Sequence, residues 1–197
     1  MVRTSFDHAV AGLWGSAEAT VFFIVPDAWT SWLALHNPRR GMATTLSALA
    51  GALVGGAANY QVAQRMAPDE TERVLSSIPG ISAHMVADVE RELDEKGWTA
   101  LVLGPTRGVP YKIYARTLAH GNASFGKFMA LSVPARIGRF LAVTGGVAAL
   151  GKLADRSGLS KTTKTGLFLG GWAAFYAWYF TAGPGKAVQP TQRSEGG

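Results

Sequence analysis

The sequence predicts an all-α fold, a polytopic membrane protein with two opposed re-entrant helical hairpins and about three transmembrane helices. Three observations lead there. Apolar runs of about 20 residues, the length at which a helix crosses a hydrocarbon core of about 30 Å, recur along a chain whose mean hydropathy is only +0.12. Two more apolar runs combine proline with charge near their centres, which a simple span does not tolerate. Gly reaches 24 residues and Trp six in 197, and both suit closely packed membrane helices with aromatic rings at the interfaces.

In chain order, the first hairpin is expected over residues 9–35, where Glu18, Pro26 and Asp27 interrupt the apolar run. Proline inside a helix costs about 3 kcal/mol, and a charge at the bilayer centre at least about 2.5 kcal/mol. Together they predict a segment that enters, turns and leaves on the same side, shielded by protein or lining a wet cavity. The first span, residues 42–65, is rich in Gly and Ala and follows Pro38-Arg39-Arg40. Its Gly51-Ala-Leu-Val-Gly55 spacing leaves one face bare, so that another helix can approach closely.

Residues 67–96 read differently. Eight acids (Asp69, Glu70, Glu72, Asp88, Glu90, Glu92, Asp94, Glu95) face only Arg73, Arg91 and Lys96. Val74, Ile78, Ile81, Met85, Val89 and Leu93 recur at helical spacing, which predicts an amphipathic surface helix packed on the bundle and broken at Pro79-Gly80. The second hairpin, residues 98–121, contains Pro105, Arg107, Pro110, Lys112 and Arg116. A second span is expected over residues 125–151, broken by Pro134, Arg136 and Arg139 and apolar from Phe140. A third, residues 165–182, carries an aromatic belt from Trp172 to Phe180. Residues 1–183 form a single embedded domain on this reading, and residues 184–197 a disordered tail rich in Gly, Gln, Pro and Ser.

The net charge of +6 does not gather in one arm. Most basic residues flank or interrupt apolar runs, which favours contact with anionic headgroups over nucleic acid. Arg39 and Arg40, with Lys152, Arg156, Lys161 and Lys164, are expected on the cytoplasmic side, and the acidic segment outside. Glu18 breaks the apolar centre that a signal peptide requires, so the N-terminus is expected to be retained. The chain has no Cys, hence no disulfide and no thiolate metal site. It shows no Gly-rich phosphate loop, triad spacing or metal-ligand cluster, so neither an enzyme nor a cofactor is expected.

The chemistry therefore rests on charges inside apolar surroundings. Glu18 and Asp27 are candidate proton acceptors, since a carboxylate in low dielectric exchanges protons near neutral pH; the competing reading makes Asp27 a helix cap after Pro26. Arg107, at a point where the chain must break, suits bidentate binding of a lipid phosphate, or an ion pair with Glu18 or Asp27. Lys112 and Arg116 share a helix face and either join that site or snorkel to the interface. Arg136 and Arg139 read as substrate contacts or as interfacial anchors. His84 and His120 have no evident partners. If the hairpins oppose each other, Glu18 or Asp27 is expected close to Arg107 or Lys112.

Two stretches carry a family resemblance. Glu18-Ala-Thr-Val-Phe-Phe-Ile-Val-Pro26-Asp27 places an acid before a Phe-Phe-x-x-Pro run that ends in a second acid. Further on come Arg107-Gly-Val-Pro110-Tyr-Lys112-Ile, Phe125, Phe128 and Arg136-Ile-Gly-Arg139-Phe140. In order and separation these motifs resemble the DedA family (SNARE-associated Golgi protein homologues), nearest its YqaA-type branch, over residues 15–150. Ile113 stands where many members place Arg, and Ala119-His120-Gly121 where Ala-Gly is usual. The resemblance implies a transporter-like protein of the bacterial cytoplasmic (inner) membrane with two opposed hairpins. It also implies proton-linked movement of an anionic lipid, polyprenyl phosphate or phospholipid, between leaflets. Arg107 and Lys112, with Arg116, Arg136 and Arg139, would then meet the phosphate, and Glu18 and Asp27 the protons. The rival is a membrane scaffold for envelope homeostasis without transport; a homo-oligomer fits either.

Overall fold

A computed structural model describes residues 2–186, with side chains from Thr4 onward. Among the described residues the structure is entirely helical, with no strand. Helix α1 (Val2–Thr20) and α2 (Asp27–His36) are joined by the non-helical residues 21–26. That turn is pinned from both ends. Trp14 Nε1 donates to the Ile24 carbonyl at 2.9 Å, and the Val25 amide donates to Tyr176 Oη at 2.9 Å. Pro26 falls just before α2, where its missing N–H breaks no helical bond.

Asn37 caps α3 (Pro38–Ala63) by accepting from the Arg40 amide at 3.1 Å, and Pro38 takes the first helical position. The bare face of α3 meets α1. A Cβ on Gly51 would run into the backbone of Gly12, and one on Gly15 into the backbone of Ala48. Contact between main chains is what small residues permit.

The acidic segment forms α4 (Pro68–Ser76) and α5 (Ala83–Lys96), separated at Pro79-Gly80, where Gly80 takes φ +83. Leu75, Ile78, Ile81, Met85 and Val89 turn inward. After α6 (Trp98–Leu103), Gly104–Arg107 tightens into a 3-10 turn. Gly108 then reverses the chain at φ +88, a left-handed conformation that favours glycine. Helix α7 (Tyr111–His120) follows and is enclosed by α3, α5 and α8 (Phe125–Arg156). Helix α8 continues unbroken through Pro134. Helix α9 (Lys161–Thr181) stands off from the bundle, meeting α2 over a short stretch.

By length and apolar composition, two helices are able to cross a hydrocarbon core: α3 and α8. Helix α9, expected as a third, is long enough at 21 residues but is not among them. Its first turn holds Lys161 and Lys164, and its Trp and Tyr rings carry polar tips. Of the expected disordered tail, Pro184 to Lys186 fold back beside Gly108 and Tyr179. Residues 187–197 lie outside the described residues.

Candidate functional site

Six charged side chains converge where α1, α2, α7 and α8 meet. Glu18 lies in the last turn of α1, and Asp27 opens α2. From α8, Arg136 and Arg139 stand three residues apart, nearly on one face. Arg136 donates to the Glu18 carboxylate, and both are almost fully enclosed, at 1% and 4% exposure. The guanidinium also lies over Tyr111 and Phe140, 4.8 and 5.0 Å from the ring centroids. Such stacking suits Arg better than Lys.

Asp27 and Arg139 are joined more loosely. Arg139 Nη2 sits 2.9 Å from Asp27 Oδ2, close enough for charge attraction. The groups are nevertheless out of hydrogen-bond alignment. Both Asp27 oxygens and the Nε and Nη2 of Arg139 therefore lack a hydrogen-bond partner within the chain. Asp27 does not cap α2. A buried carboxylate with no donor is costly and calls for one.

Helix α7 supplies Lys112 and Arg116. Lys112 Nζ donates to the Phe22 carbonyl, in the link between α1 and α2, at 2.8 Å and lies within electrostatic reach of Glu18. One turn on, Arg116 Nε donates to Asn59 Oδ1 at 2.8 Å, and Asn59 Nδ2 donates to the Ala19 carbonyl at 3.3 Å. Arg116 Nη1 has no partner. Both cations are buried, so neither snorkels outward. Four cations thus face two carboxylates, an excess of two positive charges inside the bundle.

Arg107 is placed elsewhere. The Gly108 reversal turns the 3-10 segment toward α5, and Arg107, half-exposed, donates to Glu92 rather than to Glu18 or Asp27. Glu92 also accepts from Lys96 and Tyr114, each at 3.0 Å. Partial burial pushes the Glu92 carboxyl up, but the donors Arg107, Lys96 and Tyr114 outweigh it and hold it below the usual glutamate range. His84 and His120 do find partners, Asp88 at 2.8 Å and Thr71 at 2.9 Å.

A cavity of about 830 Å³ opens between α8 and α9. Asp27, Arg139 and Arg107 line one part of it, and Lys164 another. Val143, Val147, Leu150, Leu167, Phe168 and Trp172 lie between them, so its wall is mostly apolar. Sequence reasoning missed four participants: Asn59, Glu92, Tyr111 and Lys164. Only Lys164 left a signal, as a lysine on the first turn of an aromatic helix. The ion pairs join Arg136 to Glu18 and Arg139 to Asp27; of the two bases expected near the acids, Lys112 comes within electrostatic reach of Glu18 and Arg107 pairs with Glu92 instead. Set against family models, curated proteins and solved structures, the chain matches none of them, so its chemistry is read from its own residues.

Proposed function

We propose that the chain is an integral protein of the bacterial cytoplasmic membrane that carries an anionic lipid, phospholipid or polyprenyl phosphate, between leaflets in exchange with protons. Helices α3 and α8 span on this reading, α9 lies along them, and the segments α1–α2 and α6–α7 are the re-entrant pair. One observation carries the reading: Asp27 and Arg139 hold unpartnered hydrogen-bonding atoms, within a cluster of two excess positive charges, on the wall of a largely apolar cavity.

The chemistry follows from that arrangement. A phosphate reaching Arg139 takes its two free N–H positions in the bidentate manner that guanidinium favours. Arg136 and Lys112 add positive charge behind it. The phosphate draws Arg139 off Asp27, and the carboxylate, left without its cation, takes up a proton. Loss of the phosphate reverses both steps. Glu18 keeps Arg136 in place throughout and stays paired. Arg107 waits at the cavity wall, held by Glu92 until an anion competes for it.

The test uses purified protein in vesicles with a labelled phospholipid or polyprenyl phosphate, read as exposure of the label in the second leaflet. Exchange well above that of protein-free vesicles is expected, accelerated by a proton gradient and lost in Asp27→Asn with the protein still inserted. Exchange no faster than in empty vesicles sinks the carrier. An Asp27→Asn protein that exchanges lipid at the native rate sinks the role of Asp27.

A further inference from the structure

Helix α9 inverts the usual rule for a helix lying against a bundle. Of its 21 residues, the buried one is a lysine, Lys164, while Leu167, Leu169 and Trp178 are among those exposed. Lysine is rarely enclosed without a partner. Its partner here is Asp155, with Nζ to Oδ1 at 2.5 Å, but the Asp155 side chain is 62% exposed. The ammonium is therefore held from the water side, and Lys164 lines the α8–α9 cavity. Lys152, Arg156 and Lys161 lie close to it in the sequence, with Asp155 as the acid of residues 152–164. That leaves the loop with an excess of three positive charges.

The apolar wall running away from Lys164 has a telling length. From Leu153 to Val143 along α8 is about 15 Å at 1.5 Å per residue, half of a hydrocarbon core of about 30 Å. A groove one leaflet deep, apolar along its wall, with Lys164 in its lining and a basic loop next to that lysine in the chain, matches one kind of occupant.

We infer that the α8–α9 groove is a docking site for an anionic membrane phospholipid, whose headgroup sits at Lys164 and one of whose chains runs along Val147, Leu150, Leu167 and Phe168. This rests on the membrane reading above and adds to it a station on the basic-loop side, distinct from Asp27 and Arg139. Charge complementarity selects the headgroup. Each lysine near the surface adds roughly a fivefold preference for anionic over zwitterionic lipid.

Trp172 lines the groove and reports on its contents. Full-length protein is placed in phosphatidylcholine vesicles in which a minor fraction of lipid carries brominated chains, as phosphatidylglycerol or as phosphatidylcholine. The Trp172 signal is the difference between the native protein and Trp172→Phe. Brominated phosphatidylglycerol is expected to quench that signal about fivefold more effectively than brominated phosphatidylcholine. Lys164→Gln should abolish the preference, and Lys164→Arg should keep it with the same helix content. Equal quenching by the two lipids overturns the proposal, as does a preference that survives Lys164→Gln. So does an absence of quenching by either, which means that protein, a second copy included, fills the groove. Lipid exchange read in the same vesicles separates the two ideas. Exchange without headgroup preference removes the docking site alone, whereas preference without exchange removes the carrier and leaves the docking site.

Discussion

Arg136 and Glu18 enclose each other almost completely, and the cost of separating them is set by burial rather than by attraction. Removing one partner of a buried pair leaves an uncompensated charge, at about 3–5 kcal/mol, while replacing both is often close to neutral. Arg136→Met is therefore expected to lower the unfolding temperature in detergent sharply. Glu18→Gln combined with Arg136→Met should lower it by much less than Arg136→Met alone. A double variant as unstable as the sum of the two singles would show that the residues act independently. Asp27 and Arg139 obey a different logic, since their contact leaves hydrogen-bonding capacity unspent. The sequence marked all six residues of this cluster as candidates, because charges inside apolar runs are visible without a structure. It did not reveal the partners. Glu18 and Arg136 lie 118 residues apart, and no local pattern encodes which arginine of α8 faces which acid. Arg107 shows the limit most plainly. Its chemistry and the break beside it are legible in the sequence, but the direction in which Gly108 turns it, toward Glu92, is not.

Among the elements, α1 and α3 show how much small residues decide. Their main chains touch where Gly51 meets Gly12 and Gly15 meets Ala48, so a side chain on Gly51 or Gly15 forces the helices apart. Gly51→Leu is expected to destabilise the protein by about 1–3 kcal/mol, the usual cost of overpacking. Gly126→Ala, where a Cβ meets nothing within 4 Å, should be near neutral. Equal thermal stability of the two variants would mean that the α1–α3 contact contributes little. The Gly51 and Gly55 spacing announced a close approach but not the identity of the approaching helix. The break at Pro79-Gly80 follows from its residue types and the inward turn of Ile78, Ile81, Met85 and Val89 from apolar periodicity, although in α4 it is Leu75 that is buried and Val74, like Leu93 in α5, only half-buried. Helix α9 was harder to place, because its aromatic residues suit a span and an interfacial helix equally well.

At the scale of the whole molecule, charge is segregated. The acidic helices α4 and α5 gather at one end, beside the Gly108 reversal and the C-terminal end of α9, while the basic α8–α9 loop lies at the other. On the membrane reading, the positive-inside rule puts the basic loop in the cytoplasm. A cysteine at Ser160 is therefore expected to stay unlabelled by an impermeant thiol reagent in intact cells and to react after the cells are opened. Labelling in intact cells would reverse the orientation. The protein lacks native cysteines, so the signal belongs to that position alone.

The long reach of the Glu18–Arg136 pair has one more consequence, which concerns time. A ribosome adds about 5–20 residues per second, so the 118 residues between the partners take roughly 6–24 s to make. For that interval the α1–α2 segment exists without the guanidinium that neutralises Glu18. In a membrane its carboxylate must wait at the aqueous edge, at the insertion machinery or in protonated form until α8 is synthesised. On the membrane reading, the final seat of the α1–α2 segment is thus available only late in synthesis, and that segment is among the last to settle.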